Sequence, residues 1–99
     1  MQTIELVTFR LTPDTDRDRF LTEAKRGEAL VRSQPGFRAR MLTEGPDGTW
    51  SDIVTWDSHA AAQSAAETLM TNPDFLAFCA LIDASTVQMT HSTLAWQMS

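Results

Sequence analysis

FRARMLTEGPDGTWSDIVTW, Phe37 to Trp56, reads as two strands folded back on each other. Residues 37–44 and 49–56 alternate around Gly45-Pro46-Asp47-Gly48, and such a cluster sets the backbone for a tight reversal. A hairpin in mid-chain needs partners on both sides, and the sequence supplies them. Upstream, TIELVTFRL (residues 3–11) is rich in β-branched and aromatic types and alternates, so it reads as a strand. Pro13 and Asp14 end it. Thr15 and Asp18 stand at capping-box spacing, with Asp16 adding negative charge to the first helical turn. Phe20, Ala24, Gly27 and Val31, with Leu21 and Leu30 beside them, then recur at helical spacing over about 18 residues. Gly27 is costly inside a helix and is expected to mark a close approach to a sheet. SQPGF (residues 33–37) stops the helix.

Downstream, Asp57-Ser58 offers a cap to an Ala-rich helix from His59 to Met70, whose stripe is Ala62, Ala65, Ala66 and Leu69. Asn72-Pro73 restarts a helix with Phe75, Phe78, Cys79 and Ile82 as its apolar face. Residues 86–97 read as a fourth strand. The order β-α-β-β-α-β predicts a single ferredoxin-like α+β domain over residues 1–99. Its four-stranded antiparallel sheet carries both helices on one face, with the first and third strands in the middle.

Composition narrows the function. Eight Lys and Arg against thirteen Asp and Glu leave a formal charge of −5, which argues against a nucleic-acid or anionic-membrane partner. One cysteine, Cys79, can neither staple the chain nor build a Cys-rich metal site. No apolar run approaches the roughly 20 residues that span a bilayer, and MQTIELVTFR lacks the pattern of a secretory signal. A cytoplasmic setting is expected.

Alternation places Glu5, Val7, Phe9 and Leu11, with Phe37, Ala39 and Met41, on the helix-covered face. Trp50, Asp52, Val54 and Trp56 join them, with Val87, Met89, His91 and Thr93. The opposite face then holds Ile4, Leu6, Arg10, Arg38, Arg40, Leu42, Ile53 and Leu94, too apolar to stay wet, and a second subunit packed sheet-to-sheet is expected to cover it. The three arginines there are expected to pair with Glu44 or with the other subunit, the alternative being an anionic ligand.

Glu5, Asp52 and His91 are out of place among apolar neighbours unless they pair or reach water. Parallel pairing of the first and third strands would bring Glu5 and Asp52 to one end, with His91 in reach. A carboxylate beside imidazole fixes its tautomer and suits a general base. Asp52 is expected to orient His91, with Glu5 as the alternative. Trp50 and Trp56 would wall a pocket for a planar ligand, with Phe9 and Met89 adding apolar contact. The plainer alternative is a structural hydrogen-bonded pair. His59 reads as solvated, Cys79 as a small core residue, and no metal site is expected.

The layout, with SQPGF opening the second strand and DIVTWDSHAAAQSAAE (residues 52–67) running into the second helix, resembles the antibiotic-biosynthesis-monooxygenase-like family of dimeric α/β barrels. The resemblance implies a homodimer with facing sheets and a pocket in each subunit between sheet and helices. It also implies cofactor-independent oxidation of a polycyclic phenol or quinol, or oxidative haem breakdown. The chain departs from the quinol-oxidising members, which use Asn, Trp and Tyr. It has no tyrosine, and its single asparagine, Asn72, is placed as a helix cap. Haem-degrading members carry a His on the second helix, where this chain has Cys79 or its neighbours in NPDFLAFCALID (residues 72–83) and no His. What remains is the scaffold and a different polar set. The function expected is cofactor-free oxygenation or isomerisation of a small planar aromatic or enolic metabolite, with His91 as base. The alternatives are a non-catalytic homodimeric binder of an aromatic ligand and a purely structural dimer. Neither flavin nor haem is required.

Overall fold

The Gly45–Gly48 turn closes as its residues dictate. Gly45 N–H donates to the Thr49 carbonyl at 2.8 Å, and Gly48 adopts φ +85°. Asp47 accepts from the Thr49 N–H and hydroxyl, which holds its carboxyl below the ordinary carboxylate range. The computed structural model describes residues Met1–Ser99. Around this turn run β1 (Thr3–Leu11), α1 (Arg17–Arg26), α2 (Glu28–Arg32), β2 (Phe37–Glu44), β3 (Trp50–Trp56), α3 (His59–Leu69), α4 (Pro73–Cys79) and β4 (Ile82–Thr93). The strands form one antiparallel sheet in the order β2-β3-β1-β4, the expected ferredoxin-like arrangement.

The helix ends follow local chemistry. Ser58 accepts from Ala61 N–H and Asn72 from Asp74 and Phe75 N–H, as their positions predict. Asp16, not Thr15, caps α1, accepting from Arg19 N–H at 2.8 Å. Gly27 corrects a second expectation. A side chain added there would meet nothing closer than 3.8 Å, so no sheet presses on it. Instead Gly27 separates α1 from α2. The close approach lies at Gly36, at φ +84°, where an added Cβ would stand 2.6 Å from the Ala61 Cβ.

Two buried clusters fasten the helices to the sheet. Phe20 lies edge-on to Phe9 (5.6 Å) and Trp50 (4.9 Å) and stacked on Phe78 (5.0 Å) at one end. At the other end Ala62, Ala65 and Leu69 bring α3 down onto Val54 and Trp56, with Val31 of α2 beside them. Phe75 packs against both clusters.

The sheet corrects the sequence reading in three places. First, β1 and β3 run antiparallel, with Glu5 opposite Val54 and Val7 opposite Asp52. Second, the β2 register slips between Phe37 and Ala39, because Arg38 is an extra residue against β3. A one-residue bulge reverses the facing of everything beyond it. Arg40 and Leu42 therefore share the helix face with Val54 and Asp52, while Ala39 and Met41 turn to the open face. Third, β4 starts at Ile82 rather than 86 and ends at Thr93 rather than 97. It is interrupted where Thr8 pairs with Gln88 but Arg10 with Asp83. The open face then carries Ile4, Leu6, Ala39, Met41 and Ile53 among threonines, serines and Gln88, with Arg10 and Asp83 in register at one end.

Candidate functional site

Glu5, Asp52 and His91 do share the helix side of the sheet, yet they separate into two pairs. β1 and β4 set Glu5 directly opposite His91, and His91 Nε2 lies 2.8 Å from Glu5 Oε2. Both side chains keep some access to solvent, 25% for His91 and 15% for Glu5. The His59 ring at the start of α3 stands edge-on to the His91 ring, with centroids 5.0 Å apart. His59 is itself exposed, as its place in a first helical turn predicts; what the sequence does not carry is its closeness to His91. That closeness depends on how α3 crosses the sheet, and a residue in a first helical turn carries no local sign of that. These residues do not form a set of three placed to hold a metal ion.

Asp52 does not orient His91. It belongs to Arg40, which reaches it from β2 through two bonds, Nε to Oδ1 at 3.0 Å and Nη2 to Oδ2 at 2.7 Å. Asp52 is only 9% exposed, and a carboxylate this sheltered needs such a fork. The guanidinium also lies over the Phe78 ring, 5.2 Å from its centre. The β2 bulge is the cause, since without it Arg40 would face away. Arg38 pairs instead with Asp57 at 2.8 Å and Arg10 with Asp47 at 3.8 Å, while Glu44 takes Arg17 at 3.0 Å. Cys79 sits close to Arg40 and Asp52. Burial pushes its thiol up from the usual 9.0, against a smaller opposing pull from Arg40.

Arg40 and His91 stand on opposite edge strands, while their partners Asp52 and Glu5 are on the adjacent central strands β3 and β1. Arg40 is on β2 and His91 on β4, with β3 and β1 between them, a separation of about 14 Å at the usual strand spacing. The aromatic residues expected as pocket walls are packing residues in the chain as it stands. Phe9, Trp50 and Trp56 are buried in the two clusters, while Met89 is 54% exposed beside Val7. Trp56 Nε1 is buried without an acceptor. An open cleft of about 410 Å³ lies elsewhere, between α1–α2 and β2, lined by Leu21, Ala24, Val31, Phe37, Arg40 and Leu42 among others.

No protein-family model matches the chain, and no curated protein matches it at a significant level. Solved structures do. A variant of SnoaB, a cofactor-independent oxygenase from Streptomyces nogalater, shares 22% identity over 98% of this chain and 96% of its own, with a TM-score of 0.74. A candidate antibiotic biosynthesis monooxygenase from Nitrosomonas europaea superposes with a TM-score of 0.74 at 10% identity, covering 99% of this chain and 94% of that one. A dimeric ferredoxin-like protein of unknown function from Jannaschia gives 0.71 at 13% identity, over 95% and 100% of the two chains. At these identities the likeness is one of fold. The chain has the ferredoxin-like fold found in antibiotic-biosynthesis-monooxygenase-type proteins.

Proposed function

We propose that the chain is a homodimeric enzyme of the cofactor-independent oxygenase type. It withdraws a proton from a small planar phenol or enol, with His91 as base and Glu5 as its support. The observation that carries this reading is the 2.8 Å contact between His91 Nε2 and Glu5 Oε2. A carboxylate there accepts the Nε2 proton, which leaves Nδ1 as the basic nitrogen and steadies the imidazolium once a proton arrives. The substrate anion then either passes an electron to dioxygen or takes the proton back from His91 at a carbon. In the first case the resulting radical and superoxide combine into a peroxide that loses water to leave a carbonyl. SnoaB, with the same fold, is a cofactor-independent oxygenase. Asp52 has no part in this scheme, because Arg40 occupies it.

His91→Ala is expected to slow aerobic consumption of such a substrate by about 10²–10⁴-fold. Oxygen uptake with a panel of planar phenols and quinols measures it. Equal rates for variant and parent would end the assignment of His91. A second reading, ligand binding without turnover, is favoured by the 410 Å³ cleft, which His91 does not line. It predicts saturable binding and no oxygen uptake by the parent.

The dimer part of the proposal rests on the open face. Met41 is 57% exposed there, and Ile53 lies at its centre on β3. Apolar surface of this extent on one sheet face fits coverage by a second copy. Ile53→Lys would bury a charge in that contact. Sedimentation should show a dimer for the parent and a folded monomer for the variant, and a parent that sediments as a monomer refutes this part.

A further inference from the structure

We infer that the cleft between α1–α2 and β2 is a binding site for a small aromatic carboxylate, recognised by Arg40. This site does not depend on His91, which lies on the opposite edge of the sheet. The cleft's volume of about 410 Å³ falls within the range of small-ligand sites. Leu21, Ala24, Val31, Phe37 and Leu42 give it apolar walls. Its charges run against those of the whole chain. Lys25, Arg32, Arg38 and Arg40 line it with one carboxylate, Glu28; Arg38 and Arg40 are paired with Asp57 and Asp52, which leaves Lys25 and Arg32 against Glu28 in a chain that carries −5 overall. Lys25 and Arg32 make no ion pair within the chain, so their field is not cancelled by a bonded partner.

Arg40 supplies the specific contact. Its Nε and Nη2 are engaged by Asp52 and its plane rests over Phe78, so the side chain is fixed before any ligand arrives. Nη1 has no acceptor in the protein, and Arg40 lines the cleft. A fork held in place on one edge and free on another suits a carboxylate delivered along an apolar floor. A neutral ring of the same size would gain the walls but not the charged contact.

The test is a titration of ¹⁵N-labelled protein with 2-naphthoate and, separately, with 2-naphthamide as its neutral counterpart. The naphthoate should bind about tenfold more tightly, the effect of one charge-assisted hydrogen bond. It should shift the amides of Ala24, Phe37 and Leu42. In Arg40→Lys, which keeps a cation for Asp52 but has no Nη1, that preference should fall to about twofold or less, with a urea transition confirming the variant is folded. Arg32→Gln should weaken naphthoate about twofold, less so in high salt. His91→Ala should leave binding unchanged. Equal affinity for the two probes, shifts confined to residues outside the cleft, no binding of naphthoate at millimolar concentration, an undiminished preference in Arg40→Lys, or loss of binding in His91→Ala would each overturn the inference.

Discussion

Replacing Arg40 with methionine is expected to cost the fold about 3 kcal/mol, the effect of stranding a sheltered carboxylate. Asp52 faces Val7 across the β1–β3 ladder and Leu42 across β2–β3, and Arg40 is the cation bonded to it. Without the guanidinium its charge has no compensation in a low-dielectric setting, and methionine offers no donor. The reciprocal change, Asp52→Leu, should cost less, because the Arg40 head lines an open cleft and can turn toward water. The double variant, Arg40→Met with Asp52→Leu, should recover most or all of the loss, since well-packed apolar pairs often match a sheltered ion pair. Arg38→Met is the control. Its bond to Asp57 is as short, 2.8 Å, but both side chains are about half exposed, so the loss should stay below about 1 kcal/mol. Urea unfolding of the four variants measures all of this. A cost for Arg40→Met no larger than that for Arg38→Met would mean that shelter at Asp52 carries no energetic weight.

That contrast also shows which parts of the molecule were legible before the structure. The element order was, because its signals are local. Gly-Pro-Asp-Gly makes its turn, Ser58 and Asn72 cap their helices, and Phe20 and Phe78 fall on helical faces that must be buried. The pairing of Glu5 with His91 follows from two strands whose alternation was read with the correct phase. The partner of Asp52 was not legible, for a reason confined to one residue. FRARMLT alternates equally well in either phase: one set offers Ala39 and Met41 to the core, the other Arg40 and Leu42. The Arg38 bulge selects the second, and nothing in residue type marks where a strand will hold one extra residue. Correcting that phase moves a charge off the open face and into the site, so one local irregularity changes the reading of both surfaces. The separation of His91 from the cleft was equally hidden, because it depends on strand order across the whole sheet.

Gly36→Ala should destabilise the chain by roughly 3 kcal/mol, which for a domain of this size lowers the melting temperature by about 12–24 °C. Two costs combine. Gly36 holds φ +84°, a conformation that L residues other than glycine resist by about 1 kcal/mol, and its added methyl would meet the Ala61 Cβ at 2.6 Å. The neighbouring element cannot simply yield, because Ala61 is in the first turn of α3, held by the Ser58 cap and by Ala62 and Ala65 in the core. Gly36 O also accepts the Asp57 N–H at 2.8 Å, tying the start of β2 to the end of β3. Gly48→Ala separates the two costs. It has nearly the same φ, +85°, but its added methyl would meet only the flexible end of Arg10 at 3.1 Å, so it should lose about 1 kcal/mol. Ala61→Gly in the Gly36→Ala background removes the clash and should return part of the stability, less about 1 kcal/mol for glycine in a helix. Thermal and urea unfolding of these variants decide the matter. If Gly36→Ala and Gly48→Ala lose equal stability, the close contact between the β2 entrance and α3 is not what glycine is there to permit.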